Sequence, residues 1–366
     1  MRAKLKPLDQ QVVVVTGASS GIGLAAARAF AKAGAAVVLV ARNEEALREA
    51  CAEIEAAGGR AHVVTADVGS PEDMARVTRA AVARFGGFDT WVNDAGVGIY
   101  GDSLEVSLED HQRLFQTNYF GVVHGSLEAA RHLKERPGGG VIINIGSILG
   151  DMPSPLMGPY VASKHAVKGF TDTLRIDLQR QGAPVQVSLI KPASIGTPFP
   201  DHAKNYMETA ARVPPPVYAP EVVADAILHA ATHPVRALTV GGAGRQLVAT
   251  YHAAPRFADR LFGAAIPRLS IRKEPKPADD SLHSPSQDGE ARTDAYGSRP
   301  FSLYTQAHKQ PGVVVGLALL GLAAAFAWRN REAIRDGAGP LMRQGVERLP
   351  WTRRTGTPGG LQTTLH

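Results

Sequence analysis

From Gln11 to Val240, short runs of β-branched and aliphatic residues alternate with longer stretches of mixed apolar and polar residues at helical spacing. The short runs fall at 12–16, 36–41, 61–65, 90–93, 141–145, 185–190 and 237–240. Several are unbroken Val/Ile/Leu, such as Val12-Val13-Val14-Val15, the pattern of parallel strands covered on both faces. The stretches at 24–33, 44–57, 71–85 and 160–181 predict helices. One start signal is explicit: Ser70-Pro71-Glu72-Asp73 offers a cap, a first-turn proline and acids at the positive helix end. Strand–helix alternation on this scale predicts an α/β fold, a doubly wound parallel sheet of about seven strands with helices on both faces.

The pattern stops near Ile271, which sets the expected domain limits at 1–271. Residues 272–311 are rich in Pro, Ser, Asp and Lys without aliphatic periodicity, and predict a disordered linker. Residues 312–328 carry no charge and are flanked by Lys309, Arg329 and Arg331. That length is at the short limit of a membrane span, so this segment is expected to be transmembrane or membrane-associated. Gly312 and Gly316 suit helix contact, and Trp328 an interfacial anchor. Residues 329–366 predict a basic flexible tail. Its arginines would place it inside, whereas a single span from a cytoplasmic domain would place it outside; an interfacial or hairpin arrangement removes the conflict.

Composition narrows the classes. With 44% hydrophobic and 20% charged residues the chain can bury an ordinary core. Cys51 is the single cysteine, which excludes an internal disulfide and fits a reducing compartment. No Cys/His spacing suggests a metal. The start is short, basic and polar with no apolar core of signal-peptide length, so a cytoplasmic catalytic domain is expected. Much of the +6 formal charge sits beside the apolar run, which points to a membrane surface rather than nucleic acid.

The first strand ends in Thr16-Gly17-Ala18-Ser19-Ser20-Gly21-Ile22-Gly23 and opens a helix. Such a turn lets backbone approach a pyrophosphate at a helix N-terminus, as in Rossmann-type dinucleotide sites. Gly17, Ser19, Ser20, Gly21, Ile22 and Gly23 are therefore cofactor candidates. The second strand ends in Ala41-Arg42 rather than in an acid that would accept both ribose hydroxyls, so Arg42 and a 2′-phosphate favour NADP(H) over NAD(H). Ser147 follows the fifth strand. Thirteen residues on, Tyr160-Val161-Ala162-Ser163-Lys164 puts a phenol and an ammonium one helical turn apart. A lysine there would lower the phenol's pKa into the range of a general acid/base.

The glycine turn, Asn93-Asp94-Ala95-Gly96, Asn118, Ser147 and Tyr160-x-x-x-Lys164, in this order and spacing, resemble the short-chain dehydrogenase/reductase family over about residues 8–242. The resemblance implies catalytic roles: Tyr160 as acid/base, Lys164 as the residue that tunes it and holds the nicotinamide ribose, Ser147 on the substrate oxygen, and Asn118 positioning a water in a proton relay. It implies cofactor contacts at Asp67 and Val68 beside the adenine, at Asn93, Ala95 and Gly96, and at Pro192, Ile195 and Thr197 by the nicotinamide. It also implies a homodimer or homotetramer. The chain departs from the family pattern twice, with Asp94 where a second asparagine is common and Ala193 where a glycine follows the proline.

The expected activity is NAD(P)(H)-dependent hydride transfer between nicotinamide and a ketone, aldehyde or secondary alcohol. The apolar loop 148–158 (Leu149, Met152, Pro153, Leu156, Met157) and the segment 199–216 (Phe199, Tyr206, Met207), expected to be a mobile lid, point to a hydrophobic substrate, steroid-, lipid- or retinoid-like. The alternatives are a 3-oxoacyl thioester reductase, which wants a basic patch beyond Lys204 and Arg212, and a non-catalytic NADP(H)-sensing protein, against which the intact Ser147, Tyr160 and Lys164 argue.

Overall fold

The structure is a computed structural model that describes residues 3–285, 288–295 and 297–309, with a few positions between 320 and 331. The strands are β1 (Val12–Thr16), β2 (Ala36–Ala41), β3 (Arg60–Thr65), β4 (Thr90–Asn93), β5 (Ile99–Tyr100), β6 (Gly140–Ile145), β7 (Val185–Pro192), β8 (Lys204–Asn205), β9 (Thr209–Ala211), β10 (Ala237–Val240) and β11 (Ile271–Pro275). Seven of them form one sheet in the order β10-β7-β6-β4-β1-β2-β3, and every pairing in it is parallel. This is the Rossmann-type sheet the hydrophobic runs predict.

Period-2 alternation explains why those runs are unbroken. In β1, Val13 and Val15 point into one apolar cluster and Val14 into the other, so both faces need aliphatic side chains. The helices are α1 (Gly21–Lys32), α2 (Glu44–Ala56), α3 (Pro71–Phe85), α4 (Leu108–Phe115), α5 (Gly121–Glu135), α6 (Gly158–Arg180), α7 (Phe199–His202), α8 (Pro220–Thr232), α9 (Gly242–Ala253), α10 (Pro255–Leu269) and α11 (Leu303–Lys309). α1, α2 and α8 cover one face through Leu24, Phe30, Leu47, Ile54, Val223 and Ile227. α3, α5 and α6 cover the other through Met74, Val77, Leu133, Leu174 and Leu178. The cap at Ser70 forms as expected, its side chain accepting the Asp73 N–H at 3.1 Å.

Two expectations need correction. The segment expected to be a disordered linker is built onto the catalytic unit up to Lys309. β11 pairs antiparallel with β9, Leu282 is fully buried, and α11 docks through Lys309 to Asp225 at 2.6 Å. Its polar composition misleads because backbone hydrogen bonds and a few isolated apolar residues hold it rather than a periodic face. The expected lid is likewise tied on both sides, since β8 pairs with β5 and β9 with β11.

No helix among the described residues is long and apolar enough to cross a membrane. All but four positions of the 312–328 segment, and nearly all of the tail after it, lie outside the described residues.

Candidate functional site

The crevice opens at the carboxyl ends of β1 and β4, where the strand order reverses, as doubly wound sheets require. The glycine turn forms its floor. Gly17 (φ +72°) and Gly21 (φ +56°) adopt backbone conformations that favour glycine. A Cβ on Gly17 would meet the Ala95 backbone at 2.8 Å, and one on Gly23 would meet the Gly17 carbonyl at 2.1 Å. Ser20 makes no side-chain cap at the start of α1; Gly21 N–H bonds the Glu290 carbonyl and Gly23 N–H the Asp94 carboxyl, so the Ile22 N–H and the positive helix end remain for an anion. The cradle therefore fits the pyrophosphate of a dinucleotide, which when bound supplies the hydride.

Gly17, Ser19, Ser20, Gly21, Ile22, Arg42, Asp67, Val68, Ala95, Gly96, Pro192, Ile195 and Thr197 all line this cleft. Two cofactor candidates do not. Gly23 sits behind the turn as its packing contact. Asn93 is turned away into a buried polar chain: its amide donates to Asn144 Oδ1 (2.8 Å) and Ser126 Oγ (3.0 Å) and accepts from Trp91 Nε1 (2.7 Å). Asn144 in turn donates to Thr171 (2.9 Å). Asn93 thus joins β4, β6, α5 and α6, and its amide is spent on that junction.

The neighbouring turn survives both departures from the family pattern. Thr16 Oγ1 accepts the N–H groups of Asp94 (3.1 Å) and Ala95 (3.3 Å), bonds that ignore the side chain at 94. Ala193 donates its N–H to the Val240 carbonyl at 2.9 Å and is not among the residues with positive φ, so its Cβ costs no backbone strain there. The Asp67 carboxylate accepts from Gly69 N–H (2.9 Å) and from Arg113 (2.8 Å), which fixes it in the cleft lining.

The catalytic candidates come from three elements. Ser147 follows β6 and accepts the Leu149 N–H (3.1 Å) while hydrogen-bonding Tyr160. Tyr160 and Lys164 lie one turn apart on α6, Lys164 Nζ 5.5 Å from the phenol ring centre and donating to the Ile145 carbonyl at the end of β6 (2.9 Å). Asn118 lies in a π-turn (Gln116–Phe120), a local widening that recurs at functional sites. Its side chain accepts from Val97 N–H (2.8 Å) and donates to the Val97 carbonyl (2.9 Å) and Ser163 Oγ (3.2 Å). Both amide N–H groups are committed, so the side chain braces the site and does not itself donate to a relay water.

The expected lowering of the Tyr160 pKa is reversed. Burial pushes the phenol above its ordinary value, with the Asp94 charge acting in the same direction and the Ser147 hydrogen bond opposing. Lys164 has turned its ammonium to Ile145 and answers chiefly to its own burial, which pulls it down to about 8 against the attraction of Asp94. Asp94, pushed up to about 7 by burial and held back by Lys164 and the Gly23 N–H, is a third titrating group in the cleft. A protonated Tyr160 is a proton donor, the form that carbonyl reduction consumes.

The substrate end is apolar. Leu149, Met152, Met157 and Phe199 line it, as the sequence suggests, and Phe199 meets the Tyr160 ring edge-on at 5.4 Å between centres. Tyr206 instead spends its hydroxyl on Asp110 (2.6 Å), and neither it nor Met207 lines the cleft. Sequence reasoning missed Leu247 of α9 and Ile266 of α10, which close this end, and Ser281, Pro285 and Asp288, which line the cleft with Arg42. Only Asp94 gave a signal, as a departure from the family pattern.

Comparison with known proteins agrees with this geometry. The family model for short chain dehydrogenases matches residues 11–207. The uncharacterized oxidoreductase YxnA of Bacillus subtilis is 40% identical over 327 residues, covering 88% of this chain and 92% of that protein. The 3beta-hydroxysteroid dehydrogenase 1 of Eggerthella lenta is 39% identical over 56% of this chain and 77% of its own, and the farnesol dehydrogenase of Aedes aegypti 38% over 51% and 78%. Among solved structures, a short chain dehydrogenase/reductase from Burkholderia phymatum in complex with NAD aligns with a TM-score of 0.64 at 29% identity, covering 69% of this chain and 96% of that one. An alcohol dehydrogenase from Thermococcus sibiricus complexed with 5-hydroxy-NADP aligns with a TM-score of 0.55 at 26% identity, covering 63% and 95%. The chain belongs to the short-chain dehydrogenase/reductase family, and is an oxidoreductase of alcohol and carbonyl groups that uses a nicotinamide dinucleotide.

Proposed function

We propose that the protein interconverts a hydrophobic ketone or aldehyde and its alcohol, with NADP(H) preferred. The observation that carries this reading is the convergence of Ser147, Tyr160 and Lys164 against a wall of Leu149, Met152, Met157, Phe199, Leu247 and Ile266. In reduction, Ser147 and Tyr160 polarise the substrate oxygen and Tyr160 passes its proton to that oxygen, an electrostatic role akin to an oxyanion hole. Lys164 holds the cofactor side and Asn118 braces the loop above it. Two relatives are named for steroid and farnesol alcohols, which supports an apolar substrate. Arg42, with no acid at the end of β2, supports NADP(H). Exposed Phe120, Leu127 and Ile176 on the surface beside α5 and α6 support a homo-oligomer through those helices.

Tyr160→Phe tests the mechanism. Cofactor affinity by fluorescence titration should stay within about twofold, while turnover falls by roughly 10²–10⁴, the usual worth of a general acid. Full turnover in that variant would remove Tyr160 from the chemistry.

A further inference from the structure

Beyond the last strand of the sheet, the chain returns to the cofactor cleft. Gly289 donates its N–H to the Ser19 carbonyl and Gly21 donates its N–H to the Glu290 carbonyl, both at 2.9 Å, so the returning segment is stitched to the glycine turn. Thr293 N–H bonds the Gly196 carbonyl at 3.2 Å on the nicotinamide side. On the adenosine side, Arg42 donates from Nη1 to the carbonyls of Leu282 (3.5 Å) and His283 (3.4 Å) and from Nη2 to that of Ser281. The anchor is Leu282, fully buried with Val97, Ile99, Val106 and Leu114, its carbonyl also accepting from Arg113 Nε at 3.0 Å.

The partners of Arg42 matter. All three acceptors are neutral carbonyls, so they orient the guanidinium without cancelling its charge. The nearby acids have other work: Asp67 is bonded to Arg113 and Gly69, and Asp288 faces His202 at 3.8 Å. A guanidinium has five N–H donors in a fixed fork, so contacts on its terminal nitrogens still leave donors for an anion. Fixing its orientation beforehand removes an ordering cost that a free side chain would meet on binding.

We propose that residues 281–285 and 288–293 form a strap that belongs to the cofactor site and sets selectivity at the adenosine 2′ position, by presenting Arg42 as an oriented cation, its terminal nitrogens held by neutral carbonyls, to a 2′-phosphate. The proposal rests on the NADP(H) reading. It makes the selective element a joint one, a single arginine at the end of β2 held in place by backbone from 239–241 residues further along the chain.

The test is binding rather than turnover. Dissociation constants of the full-length protein and its variants are measured for NADPH, NADH, adenosine 2′,5′-bisphosphate and AMP, the last pair isolating the adenosine end. Leu282→Ala withdraws the anchor, and should weaken NADPH and the bisphosphate by about tenfold, with NADH and AMP changed less than about twofold. Because a hollowed cluster can also unsettle the domain, Pro285→Gly, at an exposed strap position, supplies a second variant. It loosens the strap through backbone entropy and should lower the NADPH:NADH affinity ratio by about two- to fivefold. A ratio unchanged in both variants, or equal losses for all four ligands, overturns the strap's role. The underlying reading fails separately: a wild type that binds NADH as tightly as NADPH, or an Arg42→Ala variant that weakens both equally, removes the 2′-phosphate site itself.

Discussion

Residues 11–197 and residues 199–309 each wall part of one cleft, and they do so by different means. On the first wall each functional residue sits where its own neighbours in sequence put it: the glycines at the mouth of α1, Ser147 just past β6, Tyr160 and Lys164 one turn apart. On the second wall only the apolar segment around Phe199 announces a role in the sequence. Phe199, Leu247, Ile266 and the strap reach the cleft because β8 pairs with β5, β11 with β9, and Leu282 finds a pocket between β5 and α4. The chemistry is thus encoded locally, and the choice of ligands by long-range packing.

The largest effect that would test this division is expected at Gly23→Ala. The added Cβ would lie 2.1 Å from the Gly17 carbonyl, a clash with backbone that no side-chain rotation relieves. Overpacking of this kind costs roughly 1–3 kcal/mol or more, so dinucleotide affinity should fall by at least about tenfold by titration. Near-native affinity would mean that the turn is not the cradle.

Phe199→Ala tests the other wall. Phe199 packs its edge on Tyr160 and fills space above Gly98, where a Cβ would come within 2.6 Å of its ring. Losing one aromatic partner is worth roughly 0.5–1.5 kcal/mol beyond burial. KM for a hydrophobic ketone should rise several-fold to about tenfold, with kcat little changed and cofactor affinity untouched. A loss confined to kcat would place Phe199 in the proton-transfer geometry instead.

The smallest effect belongs to Asp94→Asn, where the two walls meet the titrating groups. The folded Asp94 carboxyl is raised to about 7 by burial, with Lys164 opposing. The native state therefore binds more protons than the unfolded chain between its ordinary range and pH 7, so this group's contribution to stability falls as pH rises through that window. Asparagine can keep the Gly23 N–H contact without the charge. Its apparent Tm should exceed that of the wild type by a few degrees at pH 8, the gap closing as pH falls towards 4. A gap independent of pH would assign the difference to packing rather than ionisation.

The same division explains what was legible in the sequence. The sheet and its two helical faces follow from unbroken Val/Ile/Leu runs, which only a strand covered on both sides tolerates. Ser147, Tyr160 and Lys164 are readable because their spacing maps directly onto one strand end and one helix turn. Asn93 was misplaced, since spacing cannot say which way a strand-end side chain points, and here it points into the β4–β6–α5–α6 junction. The phenol's raised pKa was equally hidden, because helical spacing shows that Lys164 is near but not that the phenol is buried beside Asp94. The strap was invisible for a simpler reason. One buried leucine in a run of Pro, Ser and Asp has no period, and its partners lie at Val97–Leu114, far back in the chain.

A locally encoded proton donor that works against an apolar wall must show itself in substrate choice. The most direct measurement is initial-rate turnover of the full-length protein across paired ketones, bulky hydrophobic against small polar, with NADPH and NADH side by side. kcat/KM should be higher for the hydrophobic ketones by at least about tenfold, with NADPH the better cofactor. Equal rates across the panel, or a preference for small polar ketones, would contradict it.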